Sequence, residues 1–255
     1  MKTKSDHKIA ALALVAMAAG LLLSACGPRM PEQTGQIYLY GEIHNREILY
    51  EKEFELWSDY YHNKGMRHLF IEVPYFSAEY MNLWMQSDND DIWDALFEDI
   101  DGTLAHNEGY ASLYRRIKEE CPETIFHGTD VGFQYWSTGE RFLKYLESIG
   151  QADSEQYRLA QENIEQGQQF YGADDGSNQE DWAYREDRMA ENFIREMDLL
   201  GQTDIMGIYG GAHTELDAKD YMTHTVPSMA SQLQERYGER VHAVLVEECF
   251  SRTDT

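Results

Sequence analysis

The chain has 255 residues, with 46 acidic against 21 basic side chains and a formal net charge of −25. So large a negative charge repels nucleic-acid phosphates and anionic lipid headgroups, which argues against both as binding partners. With the first 25 residues set aside, about 230 remain, a length that suits one α/β domain.

Residues 1–25 read as an export signal. Lys2, Lys4 and Lys8 make a positive start, and residues 9–23 form an apolar run. That run is short of the roughly twenty residues a spanning helix needs. Leu23-Ser24-Ala25 then precedes Cys26, which resembles the bacterial lipobox, where the cysteine is acylated and becomes the new N-terminus. An uncleaved anchor or an unlipidated signal is the plainer alternative. On this reading residues 1–25 are a lipoprotein signal peptide, residues 26–36 a tether, and residues 37–250 a single exported α/β domain. The product would be lipid-anchored on the extracytoplasmic side of the membrane.

From residue 36 onward the apolar pattern alternates between two types. Short β-rich runs lie at 36–41, 68–73, 124–126, 204–209 and 241–246, which fits buried strands. Helical spacing marks 46–64, with Gly65 as a C-cap, then 77–85, 110–120, 139–149, 154–170, 179–200 and 228–237. Residues 87–102 and 172–178 are polar, Asp-rich and read as loops. Strand–helix alternation predicts a mainly parallel sheet of about five strands with helices on both faces. The helices within about 133–200 are too many for one crossover and suggest a helical cap insertion over the site. Cys121 and Cys249 fall at opposite ends of such a sheet, and two unjoined, buried thiols are expected.

Ligands of parallel α/β sheets bind beyond the carboxyl ends of the strands. The first run ends in Gly41-Glu42-Ile43-His44-Asn45, the second in Ile71-Glu72-Val73-Pro74 and the third in His127-Gly128-Thr129-Asp130. The fourth ends in Gly210-Gly211-Ala212-His213-Thr214 and the fifth in Glu247-Glu248. Glu42 and His44 are two apart, so in extended backbone they face the same way. Such a pair suits a carboxylate that orients an imidazole, or two ligands of one metal. Each of these residues also has a bland reading as a surface or structural side chain. Asp130, for one, also reads as an Asx-turn or N-cap. Together they make a candidate site.

A second concentration lies on the helix over 179–200. Arg185, Met189 and Asn192 fall at i, i+4 and i+7, one face. Arg185 on that face can neutralise a carboxylate or hold an oxyanion, with Arg188 and Asn192 as secondary candidates. The bland alternative is an exposed helix laced with ion pairs. Serine-hydrolase, nucleotide-binding and zincin motifs are absent, and His62, His68, His106, His127, His224 and His242 show no ligand spacing.

The four segments 41–45, 71–74, 185–192 and 210–214 resemble, in order, the motifs of the erythromycin esterase-like, ChaN-like and TraB/Tiki superfamily. The family pattern places a Glu-x-His on the first strand, a Glu ending the second, an Arg on a late helix and a His after a Gly-rich strand end. These fall on Glu42 and His44, Glu72, Arg185 and His213, with Glu186 where Asp often follows the Arg. The resemblance implies one of two activities. One is a hydrolase of ester, lactone or peptide bonds in a small-molecule or peptide substrate. There His44 or His213 activates water, Glu42 and Glu72 tune the imidazoles, and Arg185 meets the oxyanion. A variant has Glu42, His44 and His213 holding a divalent metal. The other is a haem- or iron-binding lipoprotein without catalysis. A surface protein with a vestigial site is a third reading, against which the cost of unused buried charge counts.

Overall fold

The computed structural model describes residues 34–44, 46–172 and 179–251. The five β-rich runs become strands: β1 (Ile37–Glu42), β2 (His68–Pro74), β3 (Ile125–Asp130), β4 (Ile205–Gly210) and β5 (Val241–Leu245). They pair in the order β3-β2-β4-β1-β5, and every pairing is parallel. All six residues of the central strand β4 are buried, as expected for a strand covered on both faces.

Two-residue alternation divides the sheet's side chains between two cores. Tyr40, Leu69, Ile71, Met206 and Ile208 face the first. Over it lie α1 (Glu47–Lys64), α2 (Tyr75–Met85), α3 (Asp91–Asp99) and α4 (Glu108–Glu120), with α5 (Glu140–Ser148) and α6 (Glu155–Tyr171) packed against α2. Ile37, Leu39, Phe70, Ile205 and Tyr209 face the second core. They meet α7 (Gln179–Leu200) and α9 (Met229–Tyr237) through Met189, Phe193, Met197, Met229 and Leu233. Thus the stretch about 133–200 divides: α5 and α6 thicken the first layer, and α7 covers the second face.

Local signals act as physics requires. Gly65 ends α1 in the left-handed conformation, at φ 69°, and donates its N–H to Tyr60 O. Residues 87–102, read as a loop, contain α3. Ile92, Trp93, Leu96 and Phe97 recur at helical spacing among the acids, and Trp93 stacks on Trp84 at 4.7 Å. Burial of that stripe outweighs the acidic composition. The strand expected at 124–126 continues to Asp130, through His127 and Gly128. Cys121 is a buried thiol, whereas Cys249, expected to be buried, is half-buried in α10 (Val246–Ser251). Cys26 and Asn45 lie outside the described residues. Among the described residues no helix is long and apolar enough to cross a membrane.

Candidate functional site

The carboxyl ends of the strands deliver their polar residues to one place. Glu42 closes β1 and pairs in register with Gly210, which closes β4. Asp130 closes β3 beside Pro74 of β2, two residues beyond Glu72. A four-residue turn of helix, α8 (Gly211–Thr214), carries His213 directly off β4.

Arg185 of α7 ties the acids together. Its Nε and Nη2 donate to both oxygens of Asp130, at 2.9 and 2.7 Å, and Nη2 also donates to Glu72 Oε1 at 2.7 Å. Asp130 is fixed in turn by the Val131 N–H at 2.8 Å. Burial works against the guanidinium charge, but Asp130 and Glu72 outweigh it and hold Arg185 protonated. Burial alone would raise the Glu72 pKa. His213, Arg185 and His44 reverse that and bring it down to about 2, helped by the Gly210 N–H, which donates at 2.6 Å.

Two imidazoles face this carboxylate. His44 Nδ1 lies 3.0 Å from Glu42 Oε1, and His213 Nδ1 lies 2.6 Å from Glu186 Oε2. The opposite nitrogens converge on Glu72: His44 Nε2 is 3.9 Å from Oε2, and His213 Nε2 is 3.6 Å from Oε1. Arg185 Nη1 stands 3.3 Å from His213 Nε2. The hydrogen bond to Glu42 raises the His44 pKa to about 9, against a smaller opposing effect of burial. Burial pushes His213 down, yet Glu72 and Glu186 leave it raised. Gly210 permits the arrangement. A Cβ there would sit 2.8 Å from His44 Nε2 and 3.2 Å from Glu72 Oε2, too close for the ring to stay.

All five primary candidates therefore meet: Glu42, His44, Glu72, Arg185 and His213, with Asp130 beside them. Asn192 is one step removed. It is buried, donating to the Thr129 carbonyl at 3.0 Å and to Gln166 Oε1 at 2.9 Å, so it braces the end of β3. Arg188 is not brought to the site; it pairs with Glu191 one turn along α7, toward solvent. Glu247, expected to end the fifth strand, lies in α10 just beyond β5 and pairs with Arg46.

Two residues of the site had no role in the sequence reading. Glu186 orients His213, a position read for Glu72; its adjacency to Arg185 in the chain is the signal. The other is Glu53 of α1, only 2% exposed. It lies on the buried stripe of Leu49, Tyr50, Phe54 and Trp57, where an acid at i+4 from Leu49 breaks the apolar pattern. Glu42 Oε2 and Glu53 Oε1 are both buried and receive no hydrogen bond from an N–H or hydroxyl donor. Burial first, then the neighbouring Glu42 charge and hydrogen bond, push Glu53 far above the usual carboxylate range. One proton held on Glu53 and shared with Glu42 satisfies both groups.

The proposed metal set does not fit this geometry. Glu42 Oε1 is engaged with His44, Glu72 already carries Arg185 and the Gly210 N–H, and a guanidinium lies beside His213 Nε2. Among the described residues no group of three His, Cys, Asp or Glu side chains is arranged to hold a metal ion. The site instead opens into a cavity of about 740 Å³, within the range of small-molecule pockets.

No protein-family model matches the sequence, and no curated protein matches it. Solved structures do. The chain is similar in fold to an erythromycin esterase. That structure, a histidine variant in its open conformation, superposes with a TM-score of 0.59 at 14% identity, over 83% of this chain and 69% of that one. A succinoglycan biosynthesis protein gives 0.57 at 11% identity, and a Bacillus cereus protein gives 0.54 at 13%. Each of these two covers 83% of this chain and 65% of its own length. The chain thus spans about two thirds of the length of these neighbours, and at such identities the likeness is one of fold.

Proposed function

We propose that the protein is a hydrolase of the erythromycin esterase-like, ChaN-like and TraB/Tiki superfamily, cleaving an ester, lactone or peptide bond with an imidazole-activated water. The observation that carries this reading is the convergence of two carboxylate-held imidazoles, His44 and His213, on opposite oxygens of Glu72 at 3.9 and 3.6 Å.

His44 has the more open ring, its side chain 47% exposed, so water reaches Nε2. With Nδ1–H donated to Glu42, neutral His44 takes a proton from that water as the oxygen adds to the substrate carbonyl. His213, wedged between Glu186 and Glu72, and the Nη1 edge of Arg185 offer positive charge to the oxygen that becomes negative. Collapse of the tetrahedral species breaks the bond to the leaving group, which receives the proton from His44. Glu72 and Asp130 keep Arg185 in place, and no step needs a group beyond water.

Turnover of 4-nitrophenyl esters, lactones and peptides above pH 8 tests the reading. Release of product is expected from at least one class, and it should fall by about 10²–10⁴-fold in His44→Ala and His213→Ala. Equal rates in variant and parent, or no turnover in any class, would sink it.

The leader and the Leu23-Ser24-Ala25-Cys26 sequence support export and lipid anchoring through Cys26. Labelled palmitate should enter the chain in bacterial cells and fail to enter Cys26→Ala. Equal labelling of both excludes that attachment point.

A further inference from the structure

The cavity has two unlike parts. Its floor is the charged cluster, but its wall is apolar: Leu69 and Ile71 of β2, Met81 of α2, Leu113 and Ile117 of α4. Trp93 of α3 lines the same space and adds its ring to that wall.

The mouth is apolar too. Leu104, Tyr221 and Met222 line it while 63, 72 and 40% exposed. Single exposed apolar side chains mean little, but three lining one cavity, on a chain of net charge −25, suit an apolar ligand. The loop that presents two of them is built. Asp220 accepts the N–H groups of Thr223, Thr225 and Val226 at 2.6, 2.9 and 3.2 Å and folds the segment into an arch with Tyr221 and Met222 beside it.

We propose that the substrate is an ester whose acyl group is an extended apolar chain, lying along the wall from Leu69 to Ile117 with its carbonyl at the Arg185–His213 end. The inference rests on the hydrolase reading for the reaction and on the cavity for the substrate. An apolar chain displaces water from the wall and gains from each methylene buried. A short polar ester leaves the wall wet.

Two measurements separate the claims. The first is kcat/KM for 4-nitrophenyl acetate, butyrate and octanoate with the full-length protein. The second is calorimetric titration with octan-2-one, which has the carbonyl and a tail but no scissile bond. We expect kcat/KM to rise about fourfold per added methylene and octan-2-one to bind saturably. Both effects should weaken in Leu104→Asp, at the exposed rim, and in Leu113→Trp, which fills the wall. The rim variant keeps the test valid if the wall variant does not fold. Octan-2-one binding without turnover of any ester would uphold the chamber and overturn the hydrolase. Turnover that is flat with chain length overturns the chamber proposal and leaves the hydrolase standing. Neither turnover nor binding overturns both.

Discussion

Two pairs of histidines occupy this sheet, and their surroundings give them opposite chemistry. At the carboxyl edge, His44 and His213 each have a carboxylate on Nδ1 and turn Nε2 toward Glu72. Near the sheet's β3 edge, His68 Nδ1 at the start of β2 and His127 Nε2 of β3 lie 2.9 Å apart and spend those nitrogens on each other. Phe70 stacks on His127 at 4.5 Å, and Glu196 approaches its Nδ1 at 3.3 Å. Burial, with His127 adding to it, lowers the His68 pKa to about 4, whereas Glu42 raises His44 to about 9. Residue type does not make a reactive imidazole. A carboxylate behind the ring and open space in front of it do.

The largest expected effect breaks that contrast by removing one ring at a time. His44→Ala and His213→Ala should each lower kcat/KM by about 10²–10⁴-fold, while His127→Ala leaves the rate near that of the parent. Steady-state kinetics on the best ester of the series checks all three. Next comes the cation that binds the site together. Arg185→Met removes the buried cation that pairs with both Asp130 and Glu72 and should cost roughly 3–5 kcal/mol of stability in urea denaturation. Arg188→Met, on the same helix but paired toward solvent, should stay within about 0.5 kcal/mol.

Acidity sharpens the comparison further. With His44 raised to about 9, a base that must be neutral gives a rate that climbs with pH and levels off above about 9. The folding contribution runs the other way: it is complete below the ordinary histidine value of about 6.5 and is lost as pH rises through 9. His68 is the opposite case. Its proton favours the unfolded chain, so its contribution is present above about 6.5 and is lost as pH falls toward 4. His68→Phe should therefore flatten the acid limb of stability and leave the alkaline limb unchanged. The smallest effect is at Glu53. Glu53→Gln keeps a donor for Glu42 and should move the pH–rate curve little, whereas Glu53→Leu strips Glu42 of that donor and should raise the apparent pKa of His44.

The parts of the fold and site that were legible in the sequence share one property: they are local. Acids and histidines directly after short apolar runs, such as Glu42, Glu72 and His213, need only the rule that parallel strands present their ends together. The i, i+4, i+7 face of Arg185, Met189 and Asn192 needs only helix geometry. Glu53 escaped notice because its partner lies across a strand–helix contact that no spacing encodes. The role of Glu186 was hidden because α7 had to cross the second face before its carboxylate could reach His213. His68 and His127 are 59 residues apart and meet only because β2 and β3 pair with Phe70 opposite His127. Helix α3 was obscured by composition, its acids masking the stripe of Ile92, Trp93 and Leu96.

The central claim is that His44 and His213 work on the same carbonyl as one unit, and a double-mutant cycle tests it most directly. Groups that act together are strongly non-additive, so His44→Ala/His213→Ala should be about as slow as the slower single variant. If the two losses instead multiply in full, or if neither single variant is slower than the parent, the rings do not share a reaction and the proposed centre is wrong.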